Sequence, residues 1–318
     1  MSVAKELMGE MTPRILEIAA ESSGPDIVVQ RFDEFLSNLK VGVRLLSTLS
    51  ADQAAFDYVM EVIKSAPNLA SELSRHPERL QSVQLSQDSG APPDSRVLTA
   101  DCTQLLAEAA SAEIAHKSAG AWAAEQRFRV ASDIARHSID WIASGRAYAN
   151  IADAAIRSVY RDEGHSETSE EAKYCPPVAV LGFGSFGARE LTGGAPADLL
   201  FFCQSDPAEQ LAARMLSQRL LLRLTSRSPD GKLLDVNMGI TPYSTRGPII
   251  SQVEPFFSLR EVYENPMAVL ALTQARVISG PAELAGAVAR KLMAFLADGA
   301  AWQHLSRHAH KIVPLVRA

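Results

Sequence analysis

The sequence predicts a predominantly helical α+β fold: an N-terminal helical domain, a small mixed β-sheet, and C-terminal helices. Three observations lead there. Ala and Leu are abundant and aromatic residues make up 6% of the chain, a composition that favours helix. Residues 1 to about 160 repeat apolar side chains at helical spacing. After Pro176-Pro177 the period changes, and two short apolar runs, Val178–Leu181 and Asp198–Cys203, flank a glycine-rich turn. Short runs bounded by turn residues read as buried strands.

In the N-terminal part, Phe32, Phe35, Leu36, Leu39, Val43 and Leu46 recur at helical spacing, and so do Phe56, Val59, Met60 and Ile63. Ser65-Ala-Pro-Asn and His76-Pro77 interrupt the pattern, and 87–95 (QDSGAPPDS) is a polar loop. Helix then dominates from Leu98 to Tyr160, with Phe128, Ile134, Ile139, Ile142 and Ile151 expected to point inward. The acidic stretch 161–173, which includes Glu170-Glu171, reads as a solvated linker, so domains are expected at 1–165, 173–255 and 256–318. Beyond the strands, Asp206 is the expected cap of a helix that starts at Pro207 and ends at Arg227. Leu211, Met215 and Leu222 fall on one side of that helix and Leu216, Leu220 and Leu224 on another, which predicts packing on two sides. Ser228-Pro-Asp-Gly is a turn, 232–240 (KLLDVNMGI) a third strand, and Val253 to Leu296 mostly helix with a turn at Ser279-Gly-Pro.

Composition narrows the function. The 318 residues carry a net charge of −6, whereas nucleic-acid binders are more often basic; a protein or small-molecule partner is expected. Glu6, Glu10 and Glu17 among the first apolar residues argue against a signal peptide. No apolar run approaches the ~18 residues of a membrane span. Cys102, Cys175 and Cys203 lack metal-ligand spacing, and a sparse odd set fits a reducing compartment. The expected location is the cytoplasm.

The chemistry concentrates in 178–202, which reads strand, glycine turn, short helical turn, glycine turn, strand. Gly182-Phe-Gly184-Ser-Phe-Gly187 matches a dinucleotide-binding fingerprint to the letter. That fingerprint needs a full helix after its third glycine, and Ala188 to Thr192 are too few to cross over to a parallel strand. The layout suits phosphate and metal instead. Exposed N–H groups of a glycine turn hold phosphate oxygens, and carboxylates two apart on a strand share a face and converge on Mg²⁺. Asp198 and Asp235 are the candidate carboxylates; both also read as ordinary solvated strand-end aspartates. His304, His308 and His310 lack a completing Cys or Asp, and Arg219, Arg223 and Arg227 form a stripe that reads as a solvated face or an anion-binding one.

These residues resemble the glutamine synthetase adenylyltransferases, whose signature looks like G-x-G-[KR]-[LM]-G-[GA]-x-E-[LM], a spacer, then S-D-x-D. The run from Gly182 through Glu190-Leu191 follows it, and Ala195-Pro196-Ala197-Asp198 takes the place of S-D-x-D. Asp235-Val-Asn-Met-Gly-Ile and Gly247-Pro248-Ile249 are similar to the family's third-carboxylate strand and the segment after it. Met267-Ala268 through Gln274-Ala-Arg276-Val-Ile-Ser-Gly280-Pro281 resembles W-E-x-x-A-L-x-R-A-R-V-V-A-G-D. Ala66-Pro-Asn-Leu through His76-Pro77-Glu-Arg-Leu resembles an upstream segment that reads R-H-P-E. The likeness covers residues 55 to 290. It implies a nucleotidyltransferase fold over 173–255, Mg²⁺ held by Asp198 and Asp235, and ATP phosphates held by Gly182, Gly184, Ser185 and Gly187. It further implies glutamine synthetase or a PII-type signal protein as partner. Family members carry two related units, one attaching AMP to a tyrosine of glutamine synthetase and one removing it by phosphorolysis; this chain is long enough for one.

The departures from that pattern collect at the chemistry. Pro196 stands in for the first metal-binding Asp, Ser185 for the loop Lys/Arg, and Asn237 and Gly239 for two arginines. Met267 and Ala268 replace Trp-Glu, and Gln274 replaces Arg. Two readings follow. One is a degenerate, catalytically impaired member that docks a partner or senses a nucleotide, with no cofactor required. The other is an active transferase using Mg²⁺ and ATP with replacement ligands such as Glu190 or Asp206.

Overall fold

Local chemistry sets the helix ends in the computed structural model, which describes residues 3–39, 42–80, 94–163, 177–204, 207–228, 231–238, 249–300, 302–303 and 305–307. The first helices are α1 (Val3–Ala20), α2 (Pro25–Ser37), α3 (Gly42–Ala51), α4 (Gln53–Ser65) and α5 (Pro67–Arg75). Asp52 caps α4 by accepting from Ala55 N at 3.1 Å. Pro25 and Pro67 open α2 and α5, where a missing N–H costs nothing. Three more helices follow: α6 (Ser95–Ala107), α7 (Ala112–Ala135) and α8 (Trp141–Asp162). Asp94 caps α6 through Arg96 N at 2.8 Å.

The chain clusters into two compact units, Met1–Pro92 with Glu125–Ser144, and Pro93–Ala124 with Gly145–Ala318. In the first, Phe32, Phe35, Phe56, Met60, Ile63 and Phe128 form a buried core. The stripe Phe56, Val59, Met60 and Ile63 is buried as its spacing predicts. Ile134 and Ile142, expected to point inward, are instead 39% and 43% exposed. Both lie close to the break between α7 and α8, where His137 takes a positive φ of 55° and the helical register restarts.

The second unit holds the sheet, made of β1 (Ala179–Phe183), β2 (Ala197–Cys203), β5 (Val236–Asn237), β6 (Ile250–Gln252) and β7 (Arg276–Ser279). A separate hairpin pairs β3 (Arg227–Ser228) with β4 (Gly231–Lys232). A short α9 (Gly184–Gly187) links β1 to β2, which run antiparallel, with Phe183 opposite Asp198. That antiparallel return excludes the dinucleotide-binding arrangement. The far edge of β2 carries two parallel partners in succession, β5 at Ala197-Asp198 and β6 at Phe201–Cys203. β7 pairs antiparallel with the other edge of β1. The sheet is therefore mixed and the chain α+β and mostly helical, as the sequence predicts.

The other helices are α10 (Pro207–Thr225), α11 (Val253–Ser258), α12 (Arg260–Glu264), α13 (Pro266–Leu272) and α14 (Ala282–Ala297). Phe202 of β2 stacks on Phe257 with centroids 5.7 Å apart and meets Phe256 edge-on at 5.1 Å. Tyr263 meets Phe295 of α14 at 4.7 Å, so aromatic contacts tie α11, α12 and α14 into one core. Cys102 and Cys203 are buried free thiols, and burial pushes Cys102 up to about 11.

Three further sequence expectations change. The stretch 232–240 is no single strand: β5 keeps two residues after an irregular 233–235. Val253 to Leu296 is mostly helical but yields the strand β7. On α10, Leu216, Leu220 and Leu224 are buried, whereas Leu211, Met215 and Leu222 are 68%, 52% and 65% exposed, so the helix packs on one side. Cys175, the loop 87–93, the linker 164–173, Asp206, the 241–247 loop, Gly239 and His304, His308 and His310 lie outside the described residues. No helix among the described residues is long and apolar enough to cross a membrane.

Candidate functional site

The sheet fixes where each candidate side chain sits. All five residues of β1 are buried, and every residue of β2 except Asp198 is buried too. Asp198 thus stands alone as a half-buried carboxylate at the open end of an apolar strand. Burial raises its pKa above the usual carboxylate value, and a hydrogen bond from Asn237 opposes that rise. Asn237 Nδ2 donates to Asp198 Oδ1 at 2.7 Å, a contact set by the parallel register that places the two residues side by side.

The glycine turn faces the other oxygen. Gly184 has φ +58°, and a Cβ there would come within 2.8 Å of Asp198 Oδ2. Only glycine combines that backbone with that approach. Gly187 is held differently: a Cβ on it would lie 2.2 Å from the Gln274 carbonyl oxygen. Gly182 sits in β1 under the Phe186 ring and is buried. Of the four candidate phosphate-binding residues, Ser185 is exposed and Gly184 is half-buried against Asp198, while Gly182 and Gly187 are buried.

Asp235 lies just before β5. Its carbonyl accepts from Ala197 N at 2.8 Å, which joins its main chain to β2. Its side chain is exposed and ion-paired with Lys232. Pro196 is exposed two residues before Asp198. It offers no oxygen ligand from its side chain at the position where a D-x-D pair places its first carboxylate. Among the described residues no group of three His, Cys, Asp or Glu side chains is gathered for a metal ion. Glu190 is exposed and follows the turn, its N–H bonded to Ser185 O at 2.8 Å.

Behind the turn lies an element that motif reading missed. Asp153 on α8 is fully buried. Arg276 of β7 donates from Nη1 to Asp153 Oδ2 at 2.9 Å, and its Nη2 lies 2.8 Å from Oδ1. The same guanidinium donates to the carbonyls of Gly187 at 3.0 Å and Phe186 at 3.2 Å and lies 4.9 Å from the Phe186 ring centroid. A fixed fork of N–H groups suits this double duty. Arg189, at φ +62°, reaches Asn150 Oδ1 at 3.0 Å and approaches Asp153 at 3.7 Å. One buried carboxylate therefore anchors the glycine turn through Arg276 and the residue just beyond it. The sequence carried a signal for this: an aspartate within the apolar run of α8 needs a charged partner.

The expected stripe of Arg219, Arg223 and Arg227 is cut short, because α10 ends at Thr225 and Arg227 lies in β3; its first two members have an internal explanation. Arg219 bonds Glu163 at 2.8 Å, and Arg223 bonds Asp162 at 2.5 Å and Glu163 at 3.1 Å. The stripe meets the last turn of α8 and the residue after it.

A small mixed sheet with a glycine turn facing a strand-borne aspartate, backed by helices, is the arrangement that the sequence motifs imply. A sequence profile described as glutamate-ammonia ligase adenylyltransferase matches residues 56–291. The chain belongs to that family. It is 30% identical over 301 residues to the bifunctional glutamine synthetase adenylyltransferase/adenylyl-removing enzyme of Rhodopseudomonas palustris, covering 90% of this chain and 30% of that protein. The enzymes of the same name from Brucella suis and Mesorhizobium japonicum are 27% and 26% identical, over 87% and 92% of this chain. The chain spans about 30% of the length of these relatives.

Proposed function

We propose that this chain is a degenerate, catalytically impaired adenylyltransferase unit that acts by binding, in the regulation of glutamine synthetase. Its partner would be glutamine synthetase or a PII-type signal protein, and the nucleotidyltransferase-like part would occupy 173–255. The observation that carries this reading is the surroundings of Asp198. Transfer of AMP from ATP needs closely placed cations to offset charge on the triphosphate. Asp198 has Pro196 where a second carboxylate would stand, Asn237 on one oxygen, and Asp235 turned to Lys232. Such a donor set does not fit a pair of Mg²⁺ ions. Ser185 is exposed and Gly184 partly so at the turn, and glycine-turn N–H groups suit phosphate, so nucleotide binding without efficient transfer is the expected behaviour.

The outward position of Glu190 beside the turn favours a second reading, an active transferase with altered metal ligands. Calorimetry of ATP with and without Mg²⁺, on wild type, Asp198→Ala and Pro196→Asp, separates the two. The proposal expects weak binding that depends little on Mg²⁺ or Asp198, and a gain of Mg²⁺ dependence in Pro196→Asp. Mg²⁺-dependent binding in wild type that is lost in Asp198→Ala, with AMP transfer to glutamine synthetase in the same preparation, would sink it in favour of the active enzyme.

A further inference from the structure

Each carbonyl of α9 has a donor inside the protein. Gly184 O accepts from Ala188 N at 2.9 Å, and Ser185 O from Glu190 N at 2.8 Å. Phe186 O accepts from Arg189 N at 3.2 Å and from Arg276 Nη2 at 3.2 Å. Gly187 O accepts from Arg276 Nε at 3.0 Å. Main chain alone closes the first two. The last draws on a side chain 89 residues further along.

An anion is sensitive to that arrangement. A carbonyl oxygen turned toward a phosphate repels it, and in a planar trans peptide the N–H points opposite to the C=O. Holding the Phe186 and Gly187 carbonyls therefore fixes two successive peptide planes and keeps both oxygens engaged with protein. The guanidinium that does so is itself fixed by Asp153, which meets it with both carboxylate oxygens. A buried ion pair adds little net stability over apolar packing, so its presence behind this turn points to geometry. α8 also shapes the far side of the turn. A Cβ on Gly145 would lie 3.0 Å from Glu190 Cα, so the helix and the chain approach closely there. Asn150 and Asp153 hold Arg189 at a positive φ that surroundings must enforce on a residue with a side chain.

We infer that Asp153 and Arg276 are positioning residues for phosphate binding. Neither touches the ligand; Asp153 orients Arg276, and Arg276 sets the peptide planes of the turn. Resting on the nucleotide reading above, this assignment says which part of the nucleotide the turn selects: the phosphates rather than the nucleoside.

Calorimetry of ATP and of adenosine on the whole chain, wild type against Arg276→Lys, tests it. Lysine keeps a cation beside Asp153 but lacks the fork that spans the carboxylate and two carbonyls. The expected result is tighter binding of ATP than of adenosine in wild type, with ATP weakened about tenfold in Arg276→Lys and adenosine unchanged. A merely structural role would weaken both ligands together. Arg223→Lys, which alters an ion-paired arginine on α10, should leave both affinities alone. Arg189→Gly suits the positive φ and leaves Arg276 in place, so it should fold even if Arg276→Lys does not, and it should weaken ATP alone. ATP binding that neither variant weakens, equal loss for ATP and adenosine, or no preference for ATP in wild type overturns the inference. A wild type that binds neither compound sinks the nucleotide reading itself and the inference with it.

Discussion

Asp198 shows how a single residue can cost stability where it is placed. Burial raises its pKa in the folded chain, so in the window between its unfolded and folded values the native state holds more protons than the unfolded state. Stability therefore falls as pH rises through that window, and the penalty is complete above the folded value. Asp198→Asn should melt a few degrees above wild type at pH 7, and the gap should close as pH drops below the ordinary carboxylate range. A melting series from pH 3 to 8 checks this, and a variant no more stable than wild type at pH 7 contradicts it. Asp153 is the opposite case. Its charge is buried but met by Arg276, and removing one partner of such a pair leaves the other uncompensated, at about 3–5 kcal/mol. Urea unfolding of Asp153→Ala should show a loss of that order, whereas Glu190→Ala, an exposed change, should lie within about 0.5 kcal/mol of wild type. Gly184→Ala should cost about 1–2 kcal/mol, because it places a Cβ at positive φ against Asp198. A loss confined to Gly187→Ala would show that only the Gln274 approach matters.

Elements differ in how plainly the sequence announced them. The stripe Phe56 to Ile63 announced α4, and the prolines at 67 and 77 announced the limits of α5, because a proline acts on the backbone whatever surrounds it. β1 and β2 were legible as apolar runs around glycines. β7 was not. Arg276-Val-Ile-Ser is four residues long and follows directly on the pattern of α13, and so short a run cannot be told from a helix turn by period. Its strand state comes from pairing with β1, a tertiary cause. β5 and β6 are shorter still and exist as partners of β2. α13 offers a test at this scale: Asn265 Oδ1 accepts from Met267 N at 3.1 Å and Ala268 N at 3.2 Å. Asn265→Ala should lower stability by about 1 kcal/mol, and the amides of 267 and 268 should exchange faster while those of β2 keep their protection.

For the molecule as a whole, the family was legible because four motif segments keep their order over residues 55 to 290, and the matched range 56–291 agrees. The candidate site was half legible. Motif reading named Asp198, Asp235 and the glycines, but the division of those glycines into half-buried and buried ones needs the contacts of Phe186 and Gln274. Asp153 stayed hidden because it lies 123 residues from Arg276, and no local pattern links positions so far apart. That separation has a consequence in time. During synthesis, Asp153 and the glycine turn emerge long before the arginine that joins them, so the turn waits without the guanidinium that gathers its Phe186 and Gly187 carbonyls until β7 arrives. Folding that depends on so distant a contact is slow to commit. A chain stopped at residue 255 should keep protected amides in much of α8 yet leave 182–190 open to exchange, and adding residues through 297 should close that segment in a single step.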